Sequence, residues 1–534
     1  MIAAVSKEIA DAQLSAEVLV LGGGPAGVWA ALSAAEQGRK VILAEKGFVG
    51  TGGATAAGNT TIIHAERQSP EWEAMVKRRL QHGLGIADRR SVERVVDQAF
   101  ARLNQLADWG YPYPTDESGK SYRGSMRGPD YLRFMRRQLR NAGVLILDQS
   151  PAFELLMADG AAAGARGINR LTGRTWAVQA ASVVLATGGC AFLSGALGTN
   201  GLTGEGLLMA AEAGAAFSGM EFTGQYGISP AFASVTKGII YFWATFTDID
   251  DNEIGGSGDR QIDVASQLLK NEPVFAVIDK ASPRLQEGMR KGQPNIFLPF
   301  DRRGIDPFKQ RFPVTLRYEG TVRGVGGVSI DHACATGVPG LFAAGDAATR
   351  EDMAGAVSGG GGPNATWAMA SGTWAGRSAA AFASEVGVRH ARRTHRAIGT
   401  VGLQAARGGI DDDATRAFIA AIQDEILPLH RNFYRSGSSL IGSLRRLDSL
   451  WNEARLLGGA SGAPAERVRA REAAGMLAAA RWIAASALAR DESRGISRRS
   501  DFKLQDASRQ HRIAVGGLDR VWVRPDVAER ALAS

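Results

Sequence analysis

A chain of 534 residues with 45% hydrophobic and 22% charged side chains is long enough for two or three domains with sizeable cores, which excludes a disordered or fibrous protein. Its two cysteines, Cys190 and Cys334, exclude a disulfide framework, a CxxC redox pair and the four thiolates of an iron–sulfur cluster, and no metal site is expected. The net charge of +8 comes from scattered arginines without an aromatic-interleaved basic motif, so solvated faces or attraction of an anionic ligand are expected, and nucleic-acid binding is not.

The first residues, MIAAVSKEIADAQLSAEVLV, lack a basic stretch followed by an apolar run, and no apolar run reaches about 18 residues anywhere. No membrane span is expected, and the expected location is cytoplasmic. Glu17–Leu21 reads as an apolar strand, Gly22–Gly27 as a glycine turn, Val28–Gln37 as an alanine-rich helix and Lys40–Glu45 as a second strand. Helical spacing follows at Trp72–Gln81, Ser91–Trp109 and Tyr131–Asn141. Val144–Leu147, Ala152–Met157 and Trp176–Gln179 read as strands of a β-meander that ends in the buried run Ser182–Ala186, ahead of a second glycine turn at Gly188–Gly189. Between about Gln225 and Val322 the pattern is irregular and contains prolines and the polar loop Asp248–Arg260, as in an inserted domain. Gly326–Asp331 and Gly340–Ala344 resume the strand-and-glycine style. Ala414–Leu427, Leu440–Leu457 and Arg467–Arg490 mark a helical C-terminal region. The expected fold class is α/β: a Rossmann-type nucleotide-binding domain from residues 1–224 and 323–388, an inserted α+β capping domain over 225–322, and a helical C-terminal domain over 389–534.

Gly22-Gly23-Gly24-Pro25-Ala26-Gly27 matches GxGxxG between a strand and a helix. The first glycine permits the turn, the second lets a pyrophosphate touch the backbone, and the third lets helix and strand pack closely, while the helix N-terminus offers unpaired N–H groups to the diphosphate. Glu45 closes the second strand, where a carboxylate can bond the adenosine ribose hydroxyls. This pattern does not separate FAD from NAD.

Later segments do. Ser182–Gly189 resembles the ATGG strand-turn of two-dinucleotide-domain flavoproteins, and Gly340–Ala347 resembles their second signature, whose Asp, here Asp346, contacts the ribitol or pyrophosphate. Thr199–Gly206, followed by Met209-Ala210 and Ala213-Gly214-Ala215, is similar to the TN…TGDG…MA…AGA stretch of the succinate dehydrogenase/fumarate reductase flavoprotein superfamily, with Glu205 in place of the usual Asp. Gly326-Gly327-Val328 with Asp331 resembles the family's MGG(I/V)xxD segment. Arg490–Gly495, Arg499 and Asp501-Phe502 resemble its R-x-ESRG-x-x-x-R-x-D-(F/Y) signature. The resemblance covers nearly the whole chain and implies an FAD-dependent oxidoreductase. Implied FAD contacts come from the first turn and strand (Gly22, Gly24, Pro25, Ala26, Gly27, Glu45, Lys46) and the following loop (Thr51, Gly52, Gly53, Ala57, Gly58). Others come from the second turn and its sequel (Ala186, Thr187, Gly188, Thr199, Asn200, Thr203, Glu205) and from Gly345, Asp346 and Asn364. Gly53 stands where membrane-bound relatives carry the His that links to the flavin, and His64 lies further on, so non-covalent FAD is implied.

The family's catalytic set is largely missing. Tyr226–Ser229 stands for its HPTG segment, Tyr241–Thr245 for the loop with the catalytic arginine, and Val322, beside Arg323, for a second histidine. Gly359–Asn364 replaces a stretch that carries another arginine. The apolar-aromatic stretch after Tyr226 is instead similar to the α subunit of dissimilatory adenylylsulfate reductase, a branch that forms a sulfite adduct with flavin and takes electrons from a ferredoxin-like subunit. Arg323, Tyr226, Trp243 and Lys237 are the candidate catalytic side chains. The expected function is oxidation or reduction of a small anionic or sulfur-containing substrate, with electrons exchanged through a separate ferredoxin-like iron–sulfur partner. Two alternatives stay open: a self-sufficient fumarate or enoate reductase-like enzyme or oxidase, and a flavin-carrying electron-transfer protein without its own substrate. Assembly into a homo-oligomer is also left open.

Overall fold

The structure is a computed structural model that describes residues 13–115, 121–236, 238–357, 361–387, 389, 393–403, 412–454 and 463–526. Strand β1 (Gln13–Leu21) leads through the glycine turn into helix α1 (Pro25–Glu36), and β2 (Val41–Ala44) returns parallel to β1 with Val18 opposite Val41. All of β2 and most of β1 are buried, as expected of a parallel strand covered on both faces.

β3 (Leu145–Leu147) was expected in a meander, but it extends the parallel sheet beyond β2, with Ile42 opposite Leu145. The meander consists of β4 (Ala152–Ala158), β5 (Ala161–Ile168) and β6 (Thr175–Leu185). β5 has the sequence AAAGARGI, whose small residues carry neither alternation nor β-branched bulk before the final Ile, and sequence reading missed it. β6 joins two runs read as separate strands. Its first half pairs antiparallel with β5, and its end pairs parallel with β7 (Leu341–Ala343), while β1 lies along its other edge.

Residues 226–318 carry a four-stranded antiparallel sheet, ordered Tyr226–Pro230, Phe312–Tyr318, Val274–Val277, Thr245–Thr247, with helices Arg260–Leu268, Pro283–Gly292 and Pro294–Asp301. Helix α2 (Gly361–Val386) then crosses α1, and α3 (Asp412–Ile426), α4 (Gly437–Ala454) and α5 (Pro464–Ala489) form the helical part of the C-terminal region. That region is not purely helical. A hairpin of Arg512–Gly516 and Trp522–Asp526 pairs with Phe217–Ser218 and ties the end of the chain back to the first half. Among the described residues, no helix is long and apolar enough to cross a membrane, and no group of three His, Cys, Asp or Glu side chains is placed to hold a metal.

Helices α1 and α2 approach closely because α2 presents glycines to the α1 backbone. A Cβ at Gly372 would overlap the Ala26 carbonyl oxygen, and one at Gly376 the Ala30 carbonyl oxygen. Arg102, buried on the preceding helix Arg89–Asp108, fastens the pair: it donates to Ser33 Oγ (3.0 Å) on α1 and Thr373 Oγ1 (3.1 Å) on α2, and it covers the Trp29 ring. The C-terminal signature has a structural role. Arg490 donates to Glu221 Oε1 (2.8 Å) and Glu492 Oε1 (2.9 Å), and Arg494 donates to Glu492 (2.7 Å). Arg499 joins Asp501 to the Ala487 carbonyl at the end of α5, where a cation also suits the helix dipole. Burial pushes the Glu221 carboxyl up to about 7 against the pull of Arg490.

Gly376→Val should therefore destabilise the protein by about 1–3 kcal/mol or more, read from the urea midpoint, because the backbone it meets cannot yield. Gly288→Ala, inside the helix Pro283–Gly292 with open space at its Cβ, should stabilise by about 0.5–1 kcal/mol.

Candidate functional site

A cleft of about 300 Å³ runs across the carboxyl ends of the parallel strands, lined by Leu21 of β1, Ala44 of β2, Ala186 just after β6 and Gly345 just after β7. Ligands of open α/β sheets bind at these ends, because backbone groups that would continue the ladder are exposed there. Gly22 adopts φ +107°, in the left-handed half of backbone space, and a Cβ on it would overlap Ala186 O. A Cβ on Gly27 would overlap Gly22 O, so the turn folds onto the start of α1 only without side chains. Gly24 is the N-cap of α1, has no capping side chain and has open space around its Cβ position, which leaves the helix N-terminus accessible to an anion.

One end of the cleft is built around Glu45. Its carboxylate accepts from Gly23 N–H (2.6 Å) and Gly47 N–H (2.8 Å), and its carbonyl accepts from Ser150 N–H (2.7 Å). Ser150, Pro151, Ala152 and Arg170 line the same wall. The other end is built around Arg350, which is fully buried behind the cleft. It donates to Asp346 Oδ1 (2.9 Å), to the carbonyls of Thr321 (3.1 Å) and Val322 (3.0 Å), and to Gly324 O. Asn364 Nδ2 donates to the same Val322 carbonyl at 3.3 Å, and Arg323, with 13% of its side chain exposed and Glu319 3.7 Å away, lines the cleft beside it.

Three buried polar atoms on the cleft residues have no partner, Asn59 Oδ1, Thr187 Oγ1 and Asn364 Oδ1. Buried acceptors and hydroxyls are seldom left unpaired, so all three fit groups that are to be met by a ligand. With the side-chain-free glycine turn beside Thr187 and the unpaired Asn364 oxygen toward the Asp346 end, the cleft suits an extended dinucleotide.

Lys46 has a different setting from the one expected for a simple cofactor contact. Its Nζ lies 2.6 Å from Glu205 Oε1, 2.5 Å from Glu472 Oε1 on α5, 2.9 Å from Thr203 Oγ1 and 3.1 Å from Gly201 O. Burial alone would lower its pKa, but the two carboxylates outweigh burial and hold the ammonium above its ordinary value. Burial likewise works against the Glu205 carboxylate, and Lys46 holds it below the usual range.

The cleft brings together Gly22, Gly24, Pro25, Ala26, Glu45, Lys46, Gly52, Gly53, Ala186, Thr187, Gly188, Glu205, Gly345, Asp346, Asn364 and Arg323. Gly27, Thr51, Ala57, Gly58, Thr199, Asn200 and Thr203 stand outside its lining. Several of these support it: the Thr203 hydroxyl donates to Glu205 and Asn200 Oδ1 accepts from Gly195 N–H. Tyr226 is 1% exposed and off the cleft, with its hydroxyl donating to Leu427 O (3.0 Å) and its ring against Tyr318 and Phe433. Trp243 ends the turn Gly238–Trp243 next to the second sheet, and its carbonyl accepts from Lys280 N–H. Lys237 lies outside the described residues. Sequence reading missed Thr55, Asn59, Thr60, Ser150, Arg170 and Met209 as lining residues. A signal existed for Ser150, which follows β3: recognised as a parallel strand, β3 has its carboxyl end at the cleft.

Comparison with known proteins bears on the cofactor and the fold. Residues 17–225 match the family "FAD binding domain", and residues 425–522 match "Fumarate reductase flavoprotein C-term". The chain is 26% identical to the fumarate reductase flavoprotein subunit of Mycobacterium tuberculosis, over 92% of this chain and 92% of that protein. It is 28% identical to the L-aspartate oxidase of Mycobacterium bovis, over 95% and 96%. In fold it is similar to quinol fumarate reductase of E. coli (TM-score 0.80, 20% identity, 96% of each chain) and to adenylylsulfate reductase of Archaeoglobus fulgidus (TM-score 0.75, 18% identity, 97% of each chain).

The fold and site define an FAD-dependent oxidoreductase. More narrowly, the chain belongs to the succinate dehydrogenase/fumarate reductase flavoprotein family.

Glu45→Ala removes a carboxylate placed at the end of β2 and should raise the Kd for FAD by about tenfold or more, the worth of one charge-assisted hydrogen bond. Fluorescence titration of the deflavinated protein measures it, and an unchanged Kd would mean that Glu45 only braces the glycine turn.

Proposed function

We propose that this oxidoreductase acts on a small anionic or sulfur-containing substrate and exchanges electrons with a separate ferredoxin-like iron–sulfur protein. The observation behind the substrate class is the cation supply at the Asp346–Asn364 end: of the two arginines that line the cleft, Arg170 stands with Ser150–Ala152 on the Glu45 wall and Arg323 stands beside Asn364. The position of the family's clamp histidine holds Tyr226, whose hydroxyl is engaged by Leu427 O, and the stretch Tyr241–Thr245 contains no arginine. A dicarboxylate drawn out of water against one guanidinium would leave its second charge uncompensated, which is costly, whereas one carboxylate or oxyanion matches a single bidentate partner.

In this reading Arg323 holds the substrate anion, and Arg350, by fixing the Val322 carbonyl and Asp346, sets the position of the Arg323 segment. Tyr226 and Trp243 lie off the cleft, packed against Tyr318 and Phe433 and against Phe242 respectively, and take no direct part in this reading. FAD, held without a covalent link by the residues of the cleft, supplies the redox centre that takes or gives the electron pair. The support for a partner is compositional. Cys190 and Cys334 are both buried, and no second GxGxxG for a nicotinamide nucleotide is present, so neither a cluster nor a second nucleotide site is evident on this chain. Residues 1–224 with 323–388 serve as the FAD-binding domain, 225–322 as the cap and 389–534 as the helical domain, in a cytoplasmic enzyme. The similarity to L-aspartate oxidase favours one second reading, a self-sufficient oxidase, which rapid reoxidation of the reduced flavin by oxygen would support.

The FAD-loaded protein should show negligible fumarate reduction with viologens and negligible succinate oxidation with phenazine dyes. Turnover of about 10 per second, an ordinary enzyme rate, would overturn the proposed substrate class. Acid precipitation should release all the flavin, and NADPH alone should not reduce it.

A further inference from the structure

Among the described residues, buried guanidinium groups mostly have carboxylate or carbonyl acceptors, although Arg350 Nε and Arg471 Nε are left unpaired. Arg350 pairs with Asp346, Arg471 with Glu212, Arg490 with Glu221 and Glu492, Arg494 with Glu492 and Arg499 with Asp501. Arg435 instead donates to Asn432 Oδ1, the Glu221 carbonyl and Thr223 Oγ1. Arg79 departs from this pattern. It lies in the last turn of the helix Pro70–His82 and is 6% exposed, and its Nε and Nη2 are both buried without a hydrogen-bond partner. Burial, and then the neighbouring Arg78, push its pKa down, and His82 is depressed by burial and by both arginines. The local charge is therefore positive on positive.

The helix dipole favours cations in a last turn, but only weakly, and it replaces neither a carboxylate nor a carbonyl acceptor. A buried charge without a partner destabilises a fold, and an apolar side chain of the same volume would be more stable there. Such a group is understandable where a ligand completes it.

Arg79 is not among the cleft-lining residues, but its helix packs against segments that adjoin the cleft. Ile63 packs on the cluster of Trp72 and Val76 from the same helix and follows the cleft-lining residues Asn59 and Thr60. The Ile63 N–H donates to Thr366 Oγ1 of α2 at 2.8 Å, two residues beyond cleft-lining Asn364. At the helix end Gly83 is pressed against Gly355, where a Cβ would overlap the Gly83 backbone. Helix Pro70–His82 thus braces segments that carry the Asn364 end of the cleft.

We infer that Arg79 is an anion-binding residue that receives the carboxylate or sulfur oxyanion of a small ligand. The ligand class rests on the substrate reading above, whereas the site itself rests on the unpaired guanidinium.

Thermal unfolding of the FAD-loaded protein, with and without low-millimolar sulfite, sulfate or malonate, tests this in wild type, Arg79→Met, Arg79→Lys and Arg323→Met. Without anions, Arg79→Met should melt at or above the wild-type temperature with unchanged FAD content. It should also bind the most effective anion about tenfold or more weakly, while Arg79→Lys retains part of the response. A lower melting temperature of Arg79→Met with an unchanged anion response would show a purely structural arginine, and a wild type that responds to none of the three anions would also reject the site. Loss of response in Arg323→Met with full response in Arg79→Met would reject Arg79 and leave the Arg323 reading standing. Loss in Arg79→Met together with rapid fumarate turnover would reject the substrate class and leave Arg79 standing.

Discussion

Everything at the cleft depends on how closely backbone must approach backbone where β1 and β6 end. Gly22 sits against the Ala186 carbonyl, and Gly27 sits against Gly22, at separations that no Cβ would permit. That contact allows α1 to start immediately after the turn, with its first N–H groups directed at the cleft and no side chain capping them. The same requirement recurs one layer out, where Gly372 and Gly376 let α2 lie on α1 at the Ala26 and Ala30 carbonyls. Because α2 also carries Asn364 and Ala365, the depth of this helix packing sets where those residues reach the cleft. Small residues therefore fix the geometry of both ends, and the polar groups are mounted on that frame.

A second constraint is the number of cations taken out of water. Many of the buried arginines join parts of the chain that are far apart in sequence. Arg490 links the C-terminal tail to Glu221, Arg471 links α5 to Glu212, and Arg435 holds the Glu221 carbonyl from the C-terminal region. Such pairs contribute little net stability over well-packed apolar groups, but breaking one partner leaves a stranded charge, so they specify which surfaces meet. Lys46 belongs to the same scheme: with Glu205 and Glu472 it connects the loop after β2, the start of the helix Glu205–Glu212 and α5 at the rim of the cleft. Glu205, where the family pattern has Asp, is the residue that reaches it at 2.6 Å.

Much of the fold was legible because its strongest signals are local. The GxGxxG turn, the amphipathic helices and the buried parallel strands each carry their period or glycine spacing within a dozen residues. What was not legible depended on partners distant in the chain. Val144–Leu147 has the same apolar character whether it pairs with β2 or with a meander, and only the pairing decides. β5 is too rich in Ala and Gly to announce itself, and the hairpin Arg512–Gly516 with Trp522–Asp526 is a strand pair because Phe217–Ser218 offers it an edge. At the site, the glycines, Glu45, Asp346 and Asn364 were legible through their motifs. Tyr226 was not placed correctly by alignment to a clamp position alone, since the hydroxyl that could have faced a ligand is turned to Leu427 O.

These constraints bear together on what the cleft can select. Its FAD-binding frame is set by backbone and small residues, which leaves the substrate end free to vary without disturbing the cofactor. The charged side chains behind that end are tied into the structure: Arg350 is committed to Asp346 and three carbonyls, so it can orient the Val322–Arg323 segment but has little freedom to meet a substrate itself. Arg323 differs, since its nearest carboxylate is 3.7 Å away and its side chain keeps some exposure to the cleft. A long contact to Glu319 is a weak hold, and an incoming oxyanion with two acceptor atoms in the guanidinium plane would compete for it effectively. In the proposed reading, selectivity at this end follows from the difference between one loosely held guanidinium and one fully committed, more than from the number of arginines in the sequence.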